Sequence, residues 1–198
     1  LEVKDTDDDG KIDDAFLLAD KLLDNQPYNA RYINVTWGTC TLRNWLNNDF
    51  FNTAFMSAEQ NAIKKTSVAN NDNPYWNTDC GNDTKDKVFL ISLEEVYNSS
   101  YGLASATSRI AKDVNGNAYF YWLRSNGQSK QLAAGVYDYG GVHDYGSYVD
   151  DARAVRPALH INLQSSGWSY AGSVSSDGTE KSAITEVMLN ADSYGYTG

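Results

Sequence analysis

The sequence predicts an α+β domain with short early helices and a late antiparallel sheet carrying long loops. Three observations carry that prediction. Helical spacing and capping signals are confined to the first half of the chain. From Ala118 onward, aromatic and β-branched residues alternate with Gly, Asn, Asp and Ser in short runs, the texture of strands divided by tight turns. Between the two lies a stretch rich in Asn, Asp and Thr with no periodicity.

The chain opens with a strand at Leu1–Lys4, then "DTDDDGKIDD", then the apolar run Ala15–Ala19. Counted from Asp5, the acidic segment matches the first nine positions of an EF-hand loop: Asp5, Asp7, Asp9 and Asp13 at ligand positions and Gly10 at the turn. Its twelfth position is Phe16, which offers an ion nothing. The preferred reading is a polar hairpin turn at Asp9-Gly10, with weak calcium binding as the alternative. No metal or other cofactor is expected otherwise. Cys40, Cys80, His143 and His160 show neither CxxC nor HExxH spacing, so a structural zinc is not predicted. Cys40 and Cys80 fit a disulfide or two buried thiols equally well.

Leu42, Trp45, Leu46, Phe50 and Phe51 recur near helical spacing, which predicts a helix over 41–53 capped by Thr41. Ser57 to Gln60 has the form of a capping box opening a second short helix. Residues 66–84 are read as a long surface loop. "KVFLIS", Lys87–Ser92, predicts a buried strand, and Ser92–Glu95 predicts another capping box and short helix. In the late segment a valine recurs at 136, 142, 149 and 155. That rhythm suits short strands or turns, each anchored by one inward valine. The outward set is then Tyr137, Asp138, Tyr139, His143, Asp144, Tyr145, Ser147, Tyr148, Asp150 and Asp151. Tyr supplies large, rigid contact area while Ser, Gly and Asp supply adaptable hydrogen bonds, the chemistry of antibody-like binding surfaces. The competing reading of the same composition is a solvated sheet face with cross-strand aromatic pairs.

With 198 residues, 41% hydrophobic, the chain is long enough for one sizeable core, and a single domain is expected. A formal net charge of −10 argues against nucleic acid as partner, and no basic patch is apparent in the sequence. No apolar run is long enough to span a membrane. The opening residue Leu1 fits a trimmed or mature fragment, and export is not legible. Acidic composition leans towards an extracellular, cell-surface or phage-particle address.

The stretches "LLADKLLDNQPYN", "VTWGTCTLRNWLNNDFFNTAF", "DKVFLIS", "YWLRSNG" and "AVRPALHINL" together resemble a bacterial domain family marked by W-LRS followed, after a variable stretch, by VRPAL. That family is similar to the C-type-lectin-like fold shared by formylglycine-generating enzymes and by the variable proteins of diversity-generating retroelements. The resemblance covers most of residues 10–163. It implies a C-type-lectin-like scaffold and, in the retroelement branch, a displayed segment whose asparagine codons are rewritten at their adenines. Tyr, Asp, Ser, His and Gly at 137–151 are all reachable in that way, while Val136, Val142 and Val149 keep the rhythm. The segment 164–198 after VRPAL departs from the pattern and is expected to be an extra hairpin or a junction. The opening is also more acidic than the resemblance implies.

No enzyme signature accompanies these landmarks. The formylglycine branch needs a cysteine pair late in the chain, but Cys40 and Cys80 lie early. No G-x-S-x-G elbow, dinucleotide turn or P-loop occurs. The acidic neighbours Asp150/Asp151 and Glu94/Glu95 point apart in either a strand or a helix, so they are read as surface charge. His143 is read as an exposed contact residue of no special acidity, the alternative being a pH-tuned contact whose charged form a nearby carboxylate favours, and His160 as a satisfied sheet residue. Arg124 and Arg156 are read as structural, and Trp37, Trp45 and Trp122 as core. "DNPYWNTD" is a partial echo of calcium-dependent sugar motifs. The expected function is a non-enzymatic binding module for a protein or surface-glycan ligand, with contacts from 137–151 and a flank at Asn126–Lys130. The alternative is a structural or adhesive domain of a larger bacterial surface protein. A hydrolase ranks third.

Overall fold

The polar turn predicted at Asp9-Gly10 joins two antiparallel strands, with Asp8 and Gly10 at positive φ in the connection. The computed structural model describes residues 1–165, and the expected C-terminal extension lies, beyond Ser165, outside them. In chain order the elements are β1 (Glu2–Lys4), β2 (Asp14–Leu18), β3 (Asp24–Pro27), α1 (Thr41–Trp45), α2 (Phe51–Ala54), α3 (Ser57–Ala62), β4 (Thr66–Val68), β5 (Thr84–Asp86), β6 (Val88–Phe89), α4 (Leu93–Val96), α5 (Ala106–Arg109), β7 (Tyr121–Asn126), β8 (Leu132–Val136), β9 (Val142–Tyr148), β10 (Ala152–Val155) and β11 (Ala158–Asn162). The molecule is α+β, with few helices and mostly antiparallel sheets.

The strands form sheets ordered β1-β2-β11-β6, β3-β10-β7-β8-β9 and β4-β5. The late sheet departs from the antiparallel expectation at one seam, where β10 runs parallel to β7. The chain leaves this sheet at Arg156-Pro157. Proline has no N–H to give a ladder, so β10 stops at Val155 and β11 joins the other sheet against β2. Strand β7 is buried along its whole length. Trp122, also fully buried, donates its indole N–H to Gln26 O at 2.9 Å, and Trp37 donates to Asp86 Oδ2 at 2.9 Å. Truncating such a tryptophan to alanine costs roughly 3–5 kcal/mol. Trp45 is only half-buried and packs on Phe50 at the edge of the core.

The predicted 41–53 helix runs through residues 41–54 with a π-turn at Leu46–Phe50 between α1 and α2. Its cap is Cys40 rather than Thr41. The Cys40 sulfur accepts from Arg43 N, whereas the Thr41 hydroxyl accepts from Ala30 N. The predicted Ser57 box also shifts by one residue. Met56 N–H donates to Glu59 Oε2 at 2.7 Å, and Gln60 reaches back to Phe55 O. An ionised carboxylate near a helix N-terminus is the stronger acceptor, so Glu59 takes the reciprocal role. The Ser92 box forms as predicted, with Glu95 N to Ser92 Oγ at 3.1 Å and Ser92 N to Glu95 Oε2 at 2.8 Å.

The predicted 66–84 loop is shorter, because its ends pair as β4 and β5 and leave 69–83 as the connection. The predicted strand 87–92 is regular only at β6. Beyond it, Leu90 O accepts from the Arg124 guanidinium and Ile91 O from Arg124 N, so no further partner on β11 is used. Cys40 and Cys80 are free and buried, resolving the open question in favour of two thiols. Burial pushes the Cys40 thiol up to about 12, which keeps it protonated and unreactive.

Candidate functional site

The tyrosine-rich segment is a hairpin, and its turn is fixed by glycine. Tyr137 N donates to Gly141 O and Gly140 N to Tyr137 O, both at 2.8 Å. Gly140 has φ +83°, and a Cβ there would meet Ala106 O at 1.8 Å. Its carbonyl accepts from the buried Arg109 Nε at 2.8 Å, which fastens the turn to α5. Gly135, in β8, packs so closely on Phe120 that a Cβ there would lie 2.1 Å from the ring.

Strand β9 carries an irregularity. Gly135 pairs with His143 and Ala133 with Ser147, so β9 has extra residues at 144–146. Gly146 takes φ +91° there, and Gly127 approaches so closely that a Cβ would lie 2.0 Å from Tyr145 O. The freed carbonyls are taken from outside the ladder: Gln128 N donates to Tyr145 O and Asn73 Nδ2 to Asp144 O. The bulge therefore turns Tyr145 outward and couples β9 to the 69–83 connection.

Above this backbone the predicted residues divide into two groups. Tyr137, Tyr139, His143 and Tyr145 form one aromatic cluster. Tyr137 stacks on Tyr139 at 5.1 Å, His143 lies 4.8 Å from Tyr137 and 6.2 Å from Tyr145, and Phe120 supports Tyr137 and His143 from below. The Arg153 guanidinium lies over the Phe120 ring, 5.3 Å from its centroid. Tyr139 is 63% exposed and Tyr145 44%, with Asp138 exposed at the tip and Asp144 half-buried. The second group lies at the far end of β9. Tyr148 meets Tyr32 edge-on at 5.3 Å, Ser147 is half-buried, Asp150 is exposed, and Asp151 pairs with Arg153 at 2.9 Å.

Several expectations are corrected by this geometry. Asn126 belongs to no outward flank: it is fully buried, and its amide donates to Val35 O and Leu132 O. Lys130 pairs with Asp79 at 2.7 Å. Val142 is only partly buried, whereas Val136, Val149 and Val155 are inward as predicted. His143 is half-buried rather than exposed. Burial lowers its pKa despite the neighbouring Asp144, so the neutral ring is favoured. Burial, then the adjacent Tyr139, push the Tyr137 phenol up, leaving it a neutral donor.

Sequence reasoning missed Trp76, which meets Tyr145 edge-on at 5.4 Å and extends the aromatic cluster across the 69–83 connection. The neighbouring Tyr75 pairs separately with Tyr97, their rings 6.3 Å apart. The available signal was "DNPYWNTD", but its Asn73 is buried and structural. The Asn73 amide donates to Asn126 O and Asp144 O and its Oδ1 accepts from Tyr75 N, so it ties the connection down instead of facing a sugar.

The other singled-out residues are tied to the framework. Glu95 is no mere surface charge. It forms a bidentate ion pair with the buried Arg124, whose guanidinium also donates to Ala69 O and Leu90 O. Glu94 accepts from Asn71. Arg156 donates to Ala19 O at 2.8 Å and lies over the Tyr121 ring. His160 stacks on Phe16 and shares a 2.7 Å hydrogen bond with Asp14, which also pairs with Lys64. In the acidic turn, carboxylate oxygens of Asp5, Asp7 and Asp9 lie within 4.8 Å of one another, and Gly10 N donates to Asp5 Oδ2. Exposed acidic groups of this kind are common without an ion.

Residues 13–163 match the family model described as a domain of unknown function, DUF6273. No curated protein and no solved structure matches the chain. The matched span begins just before β2 and ends just after β11, so it takes in the core and the whole aromatic hairpin, and the chain belongs to the DUF6273 family.

Proposed function

We propose that this domain is a non-enzymatic binding module on a C-type-lectin-like scaffold, of the kind that diversity-generating retroelements vary. It presents the β8–β9 hairpin and Trp76 to a protein or surface-glycan ligand. The supporting observation is the division of labour along the hairpin. Val136 and Val149 are buried and Gly135, Gly140 and Gly146 are held by close contacts, whereas Asp138, Tyr139, Tyr145, Tyr148 and Asp150 are exposed. Side chains in the second set contribute contact area without holding the backbone, so they tolerate change. Carboxylates at 138, 144, 150 and 151 outnumber the buried Arg109 at the turn and Arg153, which Asp151 already pairs, and this favours a basic or polar ligand over nucleic acid. Among the described residues no helix is long and apolar enough to cross a membrane. An extracellular, cell-surface or phage-particle setting fits this reading. Recognition in this reading rests on aromatic contact and hydrogen bonds.

The test of diversification is to sequence the locus and its flanking DNA from sibling isolates. The reading expects changes concentrated at 138, 139, 145, 148 and 150, matching adenines of a nearby template repeat, with the glycines and buried valines constant. Uniform codons and no repeat would leave the module fixed and overturn the retroelement part of the reading.

A further inference from the structure

A second site lies away from the tyrosine hairpin, where the Asn-rich helix start meets the β4–β5 pair. A polar groove of about 510 Å³ there is lined by Arg43, Lys65, Lys85 and Lys87 together with Asn44 and Asn48. Its one carboxylate is Asp86, which is buried and already satisfied by Arg43, Trp37 and Thr84. Four of the sixteen Lys and Arg residues of a chain with net charge −10 thus converge on one concavity. The sequence conceals this because the cations come from three separated segments, and the expectation of no basic patch is corrected here.

The strand pattern explains the convergence. In β5 and just beyond it, Lys85 and Lys87 alternate with Asp86, so the carboxylate enters the core while the ammonium groups stay at the rim. Continuing the Thr66–Asp86 register by one residue sets Lys65 opposite Lys87. Two of the cations are held in place. Arg43 donates from Nε to Asp86 Oδ1 at 2.7 Å and from Nη1 to Gly38 O, and its Nη2 also pairs with Asp86 Oδ1 at 2.7 Å, leaving one N–H on each terminal nitrogen. Lys87 donates to Gln60 O at 2.9 Å and lies 4.5 Å from the Phe51 ring centroid. Lys65 and Lys85 are exposed and, among the described residues, face no carboxylate within ion-pair distance. Lysines on an exposed strand pair also discourage edge-to-edge association, but that role needs neither a concavity nor a pinned arginine.

We infer that this groove binds an oxyanion (phosphate, sulfate or carboxylate) carried by a compact polar molecule. Fixed guanidinium and ammonium donors match oxyanion geometry, and the linked amides of Asn44 and Asn48, with Asn48 Nδ2 donating to Asn44 Oδ1 at 3.0 Å, make the rim polar rather than apolar. The site is independent of the tyrosine hairpin.

The test titrates inorganic phosphate and, separately, galacturonate into the intact ¹⁵N-labelled chain at constant ionic strength, following amide shifts. Saturable shifts centred on residues 43–48 and 85–87 are expected below about 10 mM of at least one probe. Phosphate alone would indicate a phosphorylated ligand, galacturonate alone an acidic sugar, and both a general oxyanion site. The Lys65→Gln/Lys85→Gln double variant should weaken binding about tenfold, since each exposed ion pair contributes about two- to fivefold. Its unfolding temperature should match the wild type, and Tyr139→Ala/Tyr145→Ala should bind the probe normally. Binding should also weaken as salt is raised. Absence of saturation with both probes, or binding that the double lysine variant leaves unchanged, would overturn the proposal.

Discussion

Replacing Arg124 by Met tests how the W-LRS landmark works. The Arg124 side chain is almost fully buried and gathers three elements. It meets Glu95 at the cap of α4, Leu90 O beyond β6, and Ala69 O at the start of the connection that carries Trp76. Methionine fills much of the same space but leaves Glu95 and two carbonyls without their donor. Breaking a buried pair costs about 3–5 kcal/mol. Glu95 keeps some access to water, which brings the expected loss to about 3 kcal/mol, or roughly 6–12 °C of unfolding temperature for a chain of this size. Glu95→Gln retains an oxygen for Ser92 N–H and should lose less, about 1–2 kcal/mol. Chemical denaturation of both single variants and the double variant closes a cycle, in which a coupling of at least about 1 kcal/mol is expected. A loss below about 1 kcal/mol for Arg124→Met, with no coupling to Glu95, would refute the structural role assigned to this arginine.

Three further predictions follow from particular contacts. Gly140→Ala forces a side chain into positive φ against Ala106 O and should cost at least about 2 kcal/mol in denaturant unfolding; a neutral result would show that the turn is not fixed as described. His143 has a lowered pKa, so its neutral form contributes stability that is fully present above the unfolded value of about 6.5 and is lost as pH falls from there towards the folded value. Unfolding scans of His143→Asn should lack that part of the pH dependence, and an unaltered slope would contradict the burial argument. Calcium at about 1 mM should raise the unfolding temperature by no more than about 1–2 °C, because a site with a Kd of about 1 mM adds only about 0.4 kcal/mol. A rise of many degrees would mean that Asp5, Asp7 and Asp9 form a tight site without the missing twelfth ligand.

What the sequence made legible was local chemistry. Asp9-Gly10 marked a hairpin and Ser92-x-x-Glu95 a capping box, because each depends on a few neighbouring residues; the arginines of W-LRS and VRPAL were legible as structural only as a class, since their partners Ala69, Leu90 and Ala19 are far off in the chain. What escaped it depends on partners distant in the chain. Thr41 looked like a cap, but its hydroxyl is claimed by Ala30 N, and Asn126 looked like the start of an outward contact flank, but it serves Val35 and Leu132. The parallel seam between β7 and β10 follows from the return of the chain after β9 to the far side of β7, which no periodicity reports. The site was legible only in part for the same reason. The hairpin tyrosines form one contiguous run of sequence, whereas Trp76 reaches them through Asn73, and the basic groove assembles Arg43, Lys65 and Lys85 from separate segments.

The most direct test of the binding reading is to compare the wild-type domain with Tyr139→Ala/Tyr145→Ala on arrays of surface glycans and proteins, with thermal unfolding of both run alongside. Hot-spot aromatics at a binding face are each worth about 2 kcal/mol or more, so ligands captured by the wild type should bind the variant at least about 100-fold more weakly while its unfolding temperature stays within about 2 °C. Equal capture by both proteins, or a collapse of the variant's folding transition, would contradict the assignment of these tyrosines to recognition.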